Sequence, residues 1–247
     1  SFYSSAQLGQ YTRADQFKNI FSSNLTNVIQ RVSYPVLSSI QNDPKRLKDA
    51  YRRIIKTTML ITFTCMIGLA AIAKPLIIVL IGEKWLQAVY FLQIVCFAGM
   101  LYPLHAINLN ILQVKGRSDL FLNLEIIKKI IAVGPIVVGV FCGIEYMLWG
   151  SVLTSFISFF LNSYYSADLI NYPTWQQIKD ILPALLVSGI TALAMWSLTL
   201  VDMPMCFLLL LQCLLGLILS TFIYERLQLE EYLEVKRIIL SLLNRKK

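Results

Sequence analysis

Residues 206–223 read CFLLLLQCLLGLILSTFI, eighteen consecutive positions without a charge. As a helix rising 1.5 Å per residue, such a run nearly crosses a hydrocarbon layer of about 30 Å. Residues 57–73, 130–142 and 181–200 approach or reach the same condition. The whole chain follows suit, with 57% hydrophobic and only 15% charged residues and a mean hydropathy of +0.64. A soluble domain carries about 25% charged residues, and its core could not hide this much apolar surface. The expected fold class is all-α, a polytopic transmembrane helical bundle.

Seven spans are expected, over residues 15–40, 54–81, 88–114, 120–142, 146–165, 179–200 and 204–224. The breaks between them carry turn chemistry: QNDPKR, GEKW, KGRSD, CGIEY, INYPTW and VDMP. Pro75 and Pro103 should end or kink helices locally, and Pro35 should bend the first span. Residues 1–14 read as the end of a preceding span running into a periplasmic loop, 15–224 as the membrane lobe and 225–247 as a cytoplasmic amphipathic tail. The chain is therefore expected to be the C-terminal part of a longer protein. In the tail, Glu230, Glu234, Arg237, Ser241 and Asn244 form a polar stripe, with Leu229, Tyr232, Leu233, Ile239, Leu240 and Leu243 on the other faces.

Alternation of the spans puts fifteen lysines and arginines on one side. They lie at 45, 46, 48, 52, 53, 56, 115, 117, 179, 226, 236, 237 and 245–247. The other side holds four, Arg13, Lys18, Lys74 and Lys84. That bias makes the C-terminus cytoplasmic. It also accounts for the net charge of +8 by anionic lipid headgroups, without nucleic acid.

Catalytic signatures are missing from the sequence. With His105 as the single histidine there is no HExxH, and GxSxG, Walker A, GxGxxG and Asp-x-Asp do not occur. The five cysteines have no metal-ligand spacing. No catalytic residue, metal or cofactor is expected. Gly139 and Gly143 form a GxxxG that should set close helix packing, and His105 reads as a packing histidine.

Polar chemistry at membrane depth remains. Asn24, Asn27 and Arg31 fall on one stripe of the first span. An arginine there costs a few kcal/mol against hydrocarbon, so it should face a bundle interior or watery cavity; the alternative is that it snorkels to headgroups. Glu125, Lys128 and Lys129 form a second cluster, with Glu125 one turn from both lysines. These six residues are the substrate-binding candidates, suited to a hydrated passage for anionic, hydroxyl-rich cargo.

LGQYTRADQF (8–17), RVSYPVLSSIQNDPKRLKDAYRRI (31–54), LIGEKWLQAVYFLQIVC (80–96) and NLNILQVKGRSDLFLNLEIIKK (108–129) together have a family look. The chain resembles the C-terminal half of bacterial polysaccharide flippases of the multidrug/oligosaccharidyl-lipid/polysaccharide exporter superfamily. That resemblance implies one lobe of a two-lobe, alternating-access transporter in the bacterial inner membrane. Its partners would be membrane lipids, a separate N-terminal lobe of the same protein and an undecaprenyl-diphosphate-linked oligosaccharide as cargo. A multidrug exporter of the same superfamily is the alternative, and would favour an acidic cavity.

Overall fold

The computed structural model describes residues 4–244 and is helical, with no strand among them. Arg245, Lys246 and Lys247 of the charge tally lie outside the described residues, as do the side chains of Ile239, Leu240, Leu243 and Asn244.

The first helix, α1 (Ser5–Ser39), has 35 residues, about 52 Å at the helical rise. The loop expected before residue 15 is not there, because residues 5–14 are the first turns of α1 itself. Ser4 caps that end by accepting from the Gln7 N–H at 3.2 Å. The Gln10 amide then ties the segment to distant chain, donating to Lys84 O at 2.8 Å and accepting from Ala88 N at 3.0 Å. The helix continues through Pro35. Proline has no N–H, so the carbonyl of Arg31, four residues earlier, loses its helical partner.

Asp43 caps α2 (Pro44–Ala71), with Pro44 in the first turn. The helix stops there because Pro75 cannot bond Ala71, and α3 (Ala73–Ile81) starts on a new course. After a short 3₁₀ turn (Glu83–Trp85), α4 (Leu86–Gly99) ends just before α5 (Tyr102–Val114), whose first turn holds Pro103. Two of the carbonyls freed by that break are recovered by hydroxyls. The Ser22 hydroxyl donates to Gly99 O at 3.0 Å and the Ser155 hydroxyl to Ala98 O at 2.8 Å. A broken helix at membrane depth needs such substitutes.

Helix α6 (Ser118–Cys142) joins α7 (Ile144–Ile170) through the single residue Gly143, at φ 107°. Gly143 is thus the turn, not half of a helical GxxxG, and only Gly139 lies within α6. Asn171, left-handed at φ 52°, closes α7. Then come α8 (Thr174–Ser197), α9 (Met205–Arg226) and α10 (Glu230–Asn244).

Five helical stretches are long and apolar enough to cross a membrane: Pro44–Ala71, Glu83–Val114, Ile144–Ile170, Thr174–Leu200 and Met205–Arg226. Of the seven expected spans, α1 and α6 have the length, but α1 is polar over much of it and α6 carries Asp119, Glu125, Lys128 and Lys129. These are the two helices with the candidate residues. At the centre, α2 and the broken α4–α5 pair bury Tyr51, Met66, Phe91 and Ile107. α6 packs chiefly on α7 and α9 on α8, so both are peripheral, exposing Ile130 and Phe141 or Leu210 and Phe222. Trp85, Trp149 and Trp196 sit toward the ends of their segments remote from the basic connections, where an interfacial aromatic belt would lie.

At the basic end the chain is clamped. Tyr172, fully buried, donates its hydroxyl to Asp180 Oδ2 at 2.6 Å, and Arg52 forks onto both carboxylate oxygens at 2.5 and 2.6 Å. Burial, then the adjacent carboxylate, push the Tyr172 hydroxyl far above the ordinary tyrosine range. Asp180→Ala orphans that hydroxyl and should cost about 1–3 kcal/mol. Its thermal unfolding midpoint should fall, and should fall much less when Tyr172→Phe is already in place.

The tail helix α10 docks on α2: Glu231, 6% exposed, pairs with Lys56, and Arg53 Nε donates to Glu234 at 2.6 Å. Tyr232 packs against Tyr224 with ring centroids 5.7 Å apart. Of the polar stripe, Glu234 is thus engaged by the lobe.

Candidate functional site

α1 packs on α4, α5 and α2 through Ala14, Lys18, Ser22, Ser33 and Leu37. Its opposite face is uncovered, and there Asn24, Asn27 and Arg31 emerge among exposed Val28 and Val32, each 57% exposed. Asn24 is turned back on its helix, donating to Ile20 O at 2.7 Å. The Arg31 guanidinium has no hydrogen bond, ion pair or ring partner among the described residues. A group with five donors and a permanent charge is thus presented where none of the described residues meets it.

Between α1 and α6 lies a cavity of about 330 Å³ with a mixed polar and apolar lining, the apolar part including Val95, Ile136, Met147 and Leu148. From α1 come Tyr11, Asp15 and Lys18, from α5 Tyr102 and His105, and from α6 Lys128, Ala132 and Pro135. Helix α7 adds Ser151, Thr154, Ser155 and Ser158, whose spacing puts four hydroxyls on one face. Lys18, only 7% exposed, donates to Asp15 at 2.6 Å and stands 5.4 Å from the Tyr102 ring centroid. Its stem lies against α4 because residue 99 is glycine: a Cβ there would stand 3.0 Å from Lys18 Cδ. Lys128 is paired with Glu125 one turn back, also by i,i+3 geometry. Each ammonium therefore brings its own carboxylate.

His105 holds the cavity wall in register. Its Nε2 is 3.3 Å from the Ser155 hydroxyl and its Nδ1 3.4 Å from the Asn162 amide. Because Ser155 already donates to Ala98 O, it accepts from Nε2–H, while the Asn162 N–H donates to Nδ1. A neighbouring cavity of about 310 Å³ is lined by Ser23, Thr26, Asn27 and Gln30 and shares Tyr102 and His105 with the first. The two polar regions thus abut on α5.

The six expected residues divide into four settings. Asn27 lines the smaller cavity; Asn24 and Arg31 lie on the open face of α1. Lys128 points into the larger cavity with Glu125 beside it, while Lys129, one residue on, is exposed and does not join them. Sequence reasoning missed Asp15 and Lys18: both fell at the start of the first expected span, with Lys18 counted only on the less basic side. The available signal was the i,i+3 pairing in ADQFKN, the same arrangement that was noticed at Glu125–Lys128.

Residues 1–90 match a family model described as "Polysaccharide biosynthesis protein". A stretch of 109 residues is 33% identical to an "uncharacterized membrane protein in cps region" of Klebsiella pneumoniae, covering 44% of this chain and 22% of that one. The teichuronic acid biosynthesis protein TuaB of Bacillus subtilis (strain 168) is 29% identical over 119 residues, 48% of this chain and 25% of TuaB. This chain is related to bacterial polysaccharide biosynthesis proteins. Another such relative, the lipopolysaccharide biosynthesis protein WzxC of Escherichia coli (strain K12), is 25% identical over 131 residues, 53% of this chain and 27% of WzxC. The matched stretches thus span only about a quarter of these relatives' lengths. Among solved structures, the lipid II flippase MurJ in an inward closed conformation aligns with a TM-score of 0.69 and 20% identity. That alignment covers 90% of this chain and 48% of MurJ, and it shows that the two share an all-helical fold.

Proposed function

We propose that this chain is one lobe of a transporter that flips an undecaprenyl-diphosphate-linked oligosaccharide across the bacterial inner membrane, for O-antigen, capsule or exopolysaccharide assembly. The observation that carries this reading is Arg31: a cation without a partner among the described residues, on a helix face that its own lobe leaves open. An anionic diphosphate meets it by charge-assisted hydrogen bonds. A second lobe facing α1 would enclose the stripe, as the half-length overlap with MurJ suggests. Polar and charged groups on α1 and α6, at membrane depth, suit transport, not catalysis.

The basic end is cytoplasmic in this reading, and α10 lies with it. With Lys18 in the cavity, Arg13, Lys74 and Lys84 remain on the opposite side, so the charge bias sharpens. An exporter of organic cations would need unpaired carboxylates in its cavities, and both Asp15 and Glu125 are committed to lysines.

Depleting the whole protein in its native cells should cause lipid-linked oligosaccharide to accumulate in the inner leaflet while surface polysaccharide falls. Drug sensitivity with normal surface polysaccharide would instead favour the exporter.

A further inference from the structure

We infer that the cavity between α1, α6 and α7 receives a neutral, hydroxyl-rich ligand, one sugar ring of the cargo, while Arg31 receives its charge. The inference rests on the flipping reading above and adds a sugar subsite within the lobe.

Charge balance comes first. Lys18 is neutralised by Asp15 at 2.6 Å and Lys128 by Glu125, so the cavity has no surplus cation to hold a phosphate and no free carboxylate to hold a metal or amine. The uncompensated charge lies elsewhere, at Arg31. Hydrogen-bonding capacity, by contrast, is abundant. An ammonium has three donors and a carboxylate about four acceptor positions, and each ion pair uses a fraction of them. The hydroxyls of Tyr11, Tyr102 and Ser158 line the cavity without a hydrogen-bond partner among the described residues. Serine, threonine and tyrosine hydroxyls both donate and accept, which matches a ligand whose own groups do the same. Polar groups at membrane depth are expensive when unmet, so such a lining, closed off from neither ligand nor water, has a role to fill.

Position supports the assignment. The shared wall of Tyr102 and His105 joins this cavity to the one beside Asn27, one helical turn from Arg31. A diphosphate at Arg31 would thus place the adjoining sugar toward the neutral cavity, and the charge pattern of the lobe follows that of a sugar-diphosphate headgroup.

The test uses the whole protein in nanodiscs and two probes, undecaprenyl diphosphate and undecaprenyl-diphosphate-linked monosaccharides bearing glucose, galactose or N-acetylglucosamine. Ser158→Leu fills the cavity, and Thr154→Val removes one hydroxyl at nearly constant volume. Wild type should bind at least one of the monosaccharide lipids more tightly than the bare diphosphate. Ser158→Leu should erase that preference, about tenfold, and Thr154→Val should reduce it, with bare-diphosphate affinity unchanged in both. Equal loss for both probes would make the cavity a diphosphate site and overturn the inference. So would wild type binding both probes alike with neither variant altering either. Wild type binding neither probe would defeat the flipping reading itself. Should Ser158→Leu not fold, Thr154→Val alone decides between these outcomes.

Discussion

Arg31→Ala in the whole protein should reduce flipping by about one to two orders of magnitude with expression intact. A hydrogen bond to a charged group contributes about 1.5–3 kcal/mol, and that is the interaction deleted. No folding penalty is expected, because Arg31 is exposed and holds no partner among the described residues. Arg31→Lys should recover part of the activity: it keeps the charge but loses the planar fork that grips two phosphate oxygens. Arg31→Gln should behave like alanine. If the guanidinium merely snorkelled to headgroups, lysine and glutamine would both be tolerated and flipping would stay near wild type. Counting surface polysaccharide in a strain carrying each variant separates these cases.

The second large effect is on stability. Asp15→Ala leaves the Lys18 ammonium buried against Tyr102 and α4 without its carboxylate. Removing one member of a buried pair typically costs about 3–5 kcal/mol, whereas replacing both by apolar groups is often neutral. Because Asp15 keeps 31% side-chain exposure, the lower end, about 3 kcal/mol, is expected. The apparent unfolding midpoint in detergent should drop clearly for Asp15→Ala and recover in the double variant Asp15→Ala/Lys18→Met. An unchanged midpoint in the single variant would mean that Lys18 reaches water and that the cavity is open to the aqueous phase there.

Helix limits were well marked in the sequence, because turn chemistry is local. Asp43-Pro44 caps a helix, Pro103 breaks one, and Gly143 and Asn171 supply the left-handed residues that end α6 and α7. The loop expected before residue 15 failed for the opposite reason. What holds residues 5–14 in helix includes Gln10 bonded to Lys84 and Ala88, contacts over seventy residues away in sequence. The Arg31 stripe was legible because one helix face is a property of spacing alone. The α1–α6–α7 cavity was not, because spacing cannot say which faces meet: Ser151, Thr154, Ser155 and Ser158 become a wall only once α7 lies opposite Asp15 and Lys18. The docking of α10 through Glu231 was hidden in the same way, since an exposed acid and one buried against Lys56 look alike in sequence.

The most direct test of the central claim is leaflet-resolved transport. Whole protein reconstituted in liposomes with a labelled undecaprenyl-diphosphate oligosaccharide should move the label between leaflets, and Arg31→Ala at equal incorporation should not. Label that crosses no faster than in protein-free liposomes, or that crosses equally well with Arg31→Ala, would contradict the account.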